Sequence, residues 1–283
     1  MRIVFLVIFA CFTRLTLMGQ DNLKGYTDLT EALQNPDNVE MLTLSNQGLT
    51  SFPNQVFEFK NLKYLELSGN QIMEIPENIE LLSKLYYLNL SGNKLSKLPD
   101  SFAKLTALSD LFIDYGTPEN LEKDFTLLSK LPELSVLEVG GPNINALPAE
   151  IGLLQNLEYF ELLNSQVEEL PAEFSNLKKL QVLYINNDNR FHLKESLGIL
   201  SQLPRLSELH LEGDYFTELP PEIRTLQSIE YLFLNNNKLK ELPSEISQLR
   251  NLKFIDVSNN EIPNYLLHQY NDKYAPTIRI RLR

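Results

Sequence analysis

Side chains suited to acid–base or metal chemistry are sparse in this chain of 283 residues. His192, His210 and His268 stand far apart with no ligand spacing between them, and the one cysteine, Cys11, lies in an apolar leader. HExxH and CxxC metal motifs, the phosphate-cradling P-loop, GxGxxG and the GxSxG nucleophile turn are all missing from the sequence. Carboxylates are plentiful, yet none form a pair that sequence alone can place in a closed pocket. His210 falls in a short extended segment, faces outward and reads as a solvated surface residue. The expectation is a chain that is not an enzyme and that needs no cofactor and no metal.

Composition points to binding instead. Asp and Glu number 37 against 25 Lys and Arg, a formal charge of −12. That excess repels phosphate backbones and anionic lipid headgroups, so nucleic acid and membrane surfaces are disfavoured partners. Trp is absent, and aromatic contacts must come from Tyr and Phe. Several of these alternate with acids: Tyr64, Glu66, Tyr87, Asp110, Phe112, Glu138, Tyr159, Glu161, Tyr184, His210, Glu212, Tyr231 and Phe233. Such a mixture suits a protein or peptide bearing basic and apolar groups, because aromatic anchors supply binding energy and acids set orientation and on-rate. The same rings could instead serve only to pack neighbouring strands together. Sequence leaves both readings open.

These side chains make one surface only if the chain puts them on one face, and its periodicity does so. The frame LxxLxLxxN begins at Val39, Leu62, Leu85, Leu108, Leu134, Leu157, Leu180, Leu206, Ile229 and Leu252, at intervals of 23 or 26 residues. From Leu62 the intervals group as 23, 23 and 26, a 72-residue block that restarts at Leu134 and Leu206. The 26-residue copies agree beyond the frame: Leu121, Phe125, Leu128, Leu131 and Pro132 match Leu193, Leu197, Leu200, Leu203 and Pro204, and Pro276 falls at the same place again. Alternating leucines such as Leu65 and Leu67 point to one side of a short strand. One such strand cannot bury its apolar face alone, whereas stacked copies build a continuous core. The third and fifth positions of each strand then face away from that core. They carry nearly all of the aromatic and acidic residues named above. Ten strands about 4.8 Å apart give a face on the order of 45 Å long.

The rest of each unit follows from its residues. Asn70, Asn93, Asn237 and Asn260, at the ninth position, can satisfy backbone groups where the chain leaves the strand. The LPxxIxxL half holds proline too often for long helices, which predicts extended and 3₁₀ segments. The 26-residue copies lack the early proline, so short helices are expected near 120–131 and 192–203.

With these features the chain resembles the leucine-rich-repeat superfamily, in the 23-residue LPxxI class also seen in bacterial surface proteins and in intracellular scaffolds that bind Ras-like GTPases. The resemblance covers residues 39–263. It implies an α/β solenoid, a right-handed superhelix with a curved parallel sheet on the concave face and extended, 3₁₀ and short helical segments on the convex face. It also implies a non-catalytic binding role. Gly116, Pro142 and Ser165 depart from the pattern at ninth positions, with Asp188 and Asp214 as partial substitutes. An interrupted asparagine ladder and less regular strands near 113–145 are expected there. The absence of cap cysteines points to a bacterial source, in which the sequon at Asn89 carries little meaning.

Both ends need caps. At the start, Met1-Arg2 precedes an apolar run from Ile3 to Phe12, too short to span a bilayer, and polar residues begin at Gln20. Residues 1–19 therefore read as a signal peptide, exporting the chain to the periplasm, cell surface or medium with no transmembrane helix in the mature part. An uncleaved anchor and lipidation at Cys11 are the alternatives. Residues 20–38 form the N-terminal cap, with a helix over about 28–34 started by the capping-box spacing of Asp28 and Glu31. Residues 264–283 form the C-terminal cap. Its strand alternates inward Ile278, Ile280 and Leu282 with outward Arg279, Arg281 and Arg283, charges that discourage edge-to-edge association. The expected molecule is a monomeric exported scaffold. A carbohydrate-binding or adhesin module and an intracellular GTPase scaffold are the other readings.

Overall fold

The computed structural model describes residues 23–186, 190–274 and 278–282. The leader with Cys11, together with Asp188, Pro276, Thr277 and Arg283, lies outside the described residues. The described chain forms a single twelve-stranded sheet in which the strands lie in chain order and every neighbouring pair is parallel. These are β1 (Gly25–Tyr26), β2 (Met41–Thr43), β3 (Tyr64–Glu66), β4 (Tyr87–Leu95), β5 (Asp110–Tyr115), β6 (Val136–Gly140), β7 (Tyr159–Leu163), β8 (Val182–Asn186), β9 (Glu208–His210), β10 (Tyr231–Phe233), β11 (Phe254–Asp256) and β12 (Arg279–Arg281). Strands β2 to β11 are those of the ten repeats. They pair like position to like position, as in Tyr64 with Tyr87 and Glu208 with Tyr231. A leucine-rich-repeat solenoid is the result.

Core and connections follow from the unit. The fourth-position residues Leu65, Leu88, Leu111, Leu137, Phe160, Leu183, Leu209 and Leu232 are sealed from solvent. Opposite them, prolines such as Pro76, Pro99 and Pro171 precede five-residue 3₁₀ turns, Glu77–Leu81, Asp100–Lys104 and Ala172–Asn176. A proline lacks the N–H that would be orphaned at a helix start, and its fixed φ suits the entry. Each turn drops one apolar residue (Ile79, Phe102, Phe174) into the core.

Helices appear where proline relents. Helix α1 (Leu29–Ala32) starts on Asp28, whose side chain accepts from the Glu31 N–H at 2.7 Å. It is shorter than the expected 28–34, since Pro36 begins a separate 3₁₀ turn, Pro36–Asn38. Helices α2 (Leu121–Leu128) and α3 (Leu193–Leu200) occupy the two 26-residue copies, within the expected windows. Helix α4 (Asn264–Tyr274) was not expected, although the 72-residue period already carried its signal in Pro276. It is the third copy of the same helix. The three helices perform one task with different chemistry: the backbone N–H groups of Leu98, Leu170 and Leu242 donate to Asp124 at 3.1 Å, Ser196 at 3.2 Å and Tyr270 at 2.8 Å.

The asparagine ladder is present where asparagine is. Asn237 accepts from the N–H groups of Asp214 and Phe216 and donates to the carbonyls of Leu211 and Leu234, tying two repeats together. The position before it is left-handed along the chain, with Asn46 at φ 56° and Asn236 at 61°, which explains why Asn or Gly recurs there. Near 113–145 regularity falls off at one place, as expected, where the register of β4 and β5 shifts to pair Leu95 with Tyr115, and the strands beyond it stay in register. They lengthen: β5 has six residues and β6 to β8 five each, against three in β2, β3 and β9 to β11. Pairing continues through Asp114, Gly140, Leu163 and Asn186, and β4, although it carries Asn93, runs for nine residues.

At the C-terminal edge Ile278 is buried, Ile280 half-buried, and Arg279 and Arg281 exposed, with the Arg281 guanidinium 3.3 Å from Asp256. No helix among the described residues is long and apolar enough to cross a membrane.

Candidate concave binding site

All thirteen candidate residues lie on the strands, or at the strand ends, of the concave face. The structure gathers nine of them into three groups. A first aromatic stack runs across β3 to β5: Tyr64 lies flat on Tyr87 with ring centres 4.1 Å apart, and Phe112 follows at 5.3 Å. A second runs across β7 to β11. Tyr159 meets Tyr184 at 5.4 Å, Tyr184 lies on His210 at 3.6 Å, His210 on Phe233 at 4.1 Å, and Phe233 meets Phe254 at 5.4 Å. Among the described residues Tyr231 joins neither stack. Parallel pairing in strict register sets adjacent rings one strand spacing apart, close to the distance at which flat rings attract.

His210 corrects the sequence reading. It faces away from the core, as expected, but it is not solvated, being only 5% exposed. Its ring is covered on both faces by Tyr184 and Phe233, and both its nitrogens meet carboxylates: Nε2 lies 2.8 Å from Glu208 and Nδ1 3.0 Å from Glu212. Burial disfavours its charge, but these two acids outweigh burial and hold its pKa above the usual histidine value. Tyr87 and Phe233 are buried as well, so the stacked rings present edges to solvent and keep their faces for each other.

Several of the concave acids have structural work. The Glu66 carboxylate accepts from the Ser68 N–H at 2.9 Å, and Asp256 does the same for Ser258 at 2.9 Å. Buried Asp110 accepts from the Ser109 hydroxyl. Glu208 and Glu212 hold His210.

The third group lies between the stacks, on β5 to β7, where Asp114, Glu138 and Glu161 gather. Burial raises all three pKa values. For Glu138 the value is pushed up to about 8, first by burial and then by the negative charges of Glu161, Asp114 and Glu66. Asp114 accepts from the Gly92 N–H at 2.7 Å with one oxygen, while the other is buried with no hydrogen bond. It fits only because Gly140 faces it, since a Cβ there would stand 2.1 Å from that oxygen. Sequence reasoning missed Gly140. Its signal was a glycine at a position where the other repeats carry Ser, Asn, an acid or, once, Leu163. Among the described residues no group of three or more His, Cys, Asp or Glu is arranged to hold a metal ion.

Comparisons with known proteins agree with this architecture. A family profile described as a leucine-rich repeat region matches residues 42–140 and 119–215, and a leucine rich repeat profile matches 204–262. No curated protein matches the chain. Among solved structures, the leucine-rich repeat domain of the type III effector XopL is 26% identical, over 86% of this chain and 82% of that one, with a TM-score of 0.53. The TLR13 complex with ssRNA13 is 23% identical over 87% of this chain and 44% of that one, with a TM-score of 0.63. Internalin C2 of Listeria monocytogenes is 23% identical over 80% and 83%, with a TM-score of 0.50. The chain belongs to the leucine-rich-repeat family.

Proposed function

We propose that this chain is an exported, non-catalytic scaffold that holds a polypeptide on its concave face, with a basic side chain of the partner over Asp114, Glu138 and Glu161 and apolar side chains against the ring edges on either side. The observation that carries this is the environment of Glu138, where every charge acting on the carboxyl is negative. An arriving ammonium or guanidinium would turn that repulsion into attraction and favour ionised Glu138. Export rests on the leader, in which a basic start, an apolar run to Phe12 and a polar segment from Gln20 follow one another. Bound RNA, as in the TLR13 complex, fits poorly here because the same carboxylates oppose phosphate. Sugar stacking also fits the stacked rings poorly, because sugars use ring faces and those of Tyr87, Tyr184, His210 and Phe233 lie against neighbouring rings.

The test is selection from a random peptide display library on the immobilised chain, with a glycan array in parallel. Wild type should enrich peptides that carry Lys or Arg flanked by apolar residues, and Glu138→Lys with Glu161→Lys should abolish that preference while unfolding cooperatively as before. Enrichment of peptides without basic residues, or glycan binding alone, would sink the reading.

A further inference from the structure

The Glu208–His210–Glu212 clamp lies beside the acids of the proposed peptide contact, with its ring held within the second aromatic stack and both its nitrogens against carboxylates. A neutral imidazole carries one N–H and one lone pair. With both nitrogens 3.0 Å or less from carboxylate oxygens, a neutral ring would set a lone pair against an oxygen in a buried site. An imidazolium donates at both ends, sits between two negative charges, and lies against the faces of Tyr184 and Phe233, which attract cations.

The two carboxylates are held unequally. Glu208 has the shorter contact and a side chain only 10% exposed, whereas that of Glu212 is 21% exposed at the strand end, with a second oxygen that makes no hydrogen bond. Freeing Glu212 into water costs less than freeing Glu208. The other groups around the ring come from every neighbouring strand. They are Tyr184 and Asn186 of β8, Glu161 and Tyr159 of β7, Tyr231 and Phe233 of β10, and Asp256 of β11, paired with Arg281. Of these, only Arg281 is cationic, and it is spent on Asp256.

We propose that His210 is a proton switch of the concave face: protonated, it clamps Glu208 and Glu212 together, and on losing its proton it keeps Glu208 and releases Glu212. Release adds a free carboxylate to the rim of the face beside β8 and leaves the ring stack in place. The device belongs to the fold and does not depend on which partner binds.

Histidine-labelled full-length chain provides the test by NMR, with the His210 signals identified by their loss in His210→Gln. The midpoint should lie above the ordinary histidine value of about 6.5, and below it both ring nitrogens should be protonated. Glu212→Gln, at the exposed arm, should lower that midpoint by about one unit. Above the midpoint, ring contacts to the Glu212 side chain should vanish while those to Glu208 persist. A midpoint at or below about 6.5, a midpoint indifferent to Glu212→Gln, or both carboxylates staying or leaving together would overturn the proposal.

Discussion

The middle strands and the flanking strands of this solenoid share one repeat frame and behave differently. In the flanks, Asn70, Asn93, Asn237 and Asn260 each tie their own turn to the preceding repeat, and the concave rings cover one another. In the middle, Gly116, Pro142 and Ser165 replace that asparagine, β5 to β8 run on, and the concave side collects carboxyls that repel each other. Where every local rule is met, the surface satisfies itself. Where rules are broken, charge is left for something else to satisfy, which is where function is expected to lie.

The sharpest way to break this comparison is to remove the ladder in each region. Asn237→Ala should destabilise by about 2–4 kcal/mol in urea unfolding, because it strands two buried N–H groups and two carbonyls. Ser165→Ala, which removes a hydroxyl that accepts from the Val167 N–H at 3.3 Å in place of the four bonds of an amide such as Asn237, should lose less than Asn237→Ala. Equal losses would show that the middle is as firmly tied as the flanks.

A smaller effect probes what replaces asparagine beside Gly116. The buried Tyr115 hydroxyl donates to Asp124 at 2.8 Å, and Asp124 in turn receives the Leu98 N–H. Burial pushes the Asp124 pKa up to about 6 despite both hydrogen bonds. The native state therefore holds this proton more tightly than the unfolded chain, so the contribution of Asp124 to stability is fully present below about pH 4 and is lost as pH rises through 6. Tyr115→Phe should cost about 1–2 kcal/mol at pH 8, and less at pH 4, in denaturant titrations at both pH values.

The smallest effect sharpens the contrast in charge. The Glu138 pKa is raised from 4.5 to about 8, so its contribution is fully present below pH 4.5 and disappears as pH rises through 8. Glu138→Gln should match wild type near pH 4 and exceed it by about 1 kcal/mol at pH 9, much less than the whole shift because the side chain still reaches water. A variant less stable than wild type at pH 9 would mean that the acids are held by a cation within the fold.

Much of this was legible in the residues. Leucine or another apolar residue at every fourth and sixth position, proline before the 3₁₀ turn of each 23-residue unit and the 72-residue block are local or periodic features, and each repeat meets nearly the same neighbours as the next. The caps were half legible. Asp28 announced α1, but α4 lacks a strong apolar stripe and shows itself only through the block period.

The sequence by itself determined which side chains face the concave side, because strand alternation leaves no choice once the leucines are buried. It could not decide how those side chains meet. His210 reads as exposed along the chain because Tyr184 and Phe233, which cover it, lie 26 and 23 residues away and reach it only through strict register. Glu138 reads as one acid among many because its neighbours come from three other strands, and because Gly140 matters only through the Asp114 side chain it makes room for. Periodicity is written along one strand, whereas burial and charge coupling arise between strands. Only the stacked sheet turns a column of aromatics and acids into two self-satisfied stacks and one unsatisfied gap.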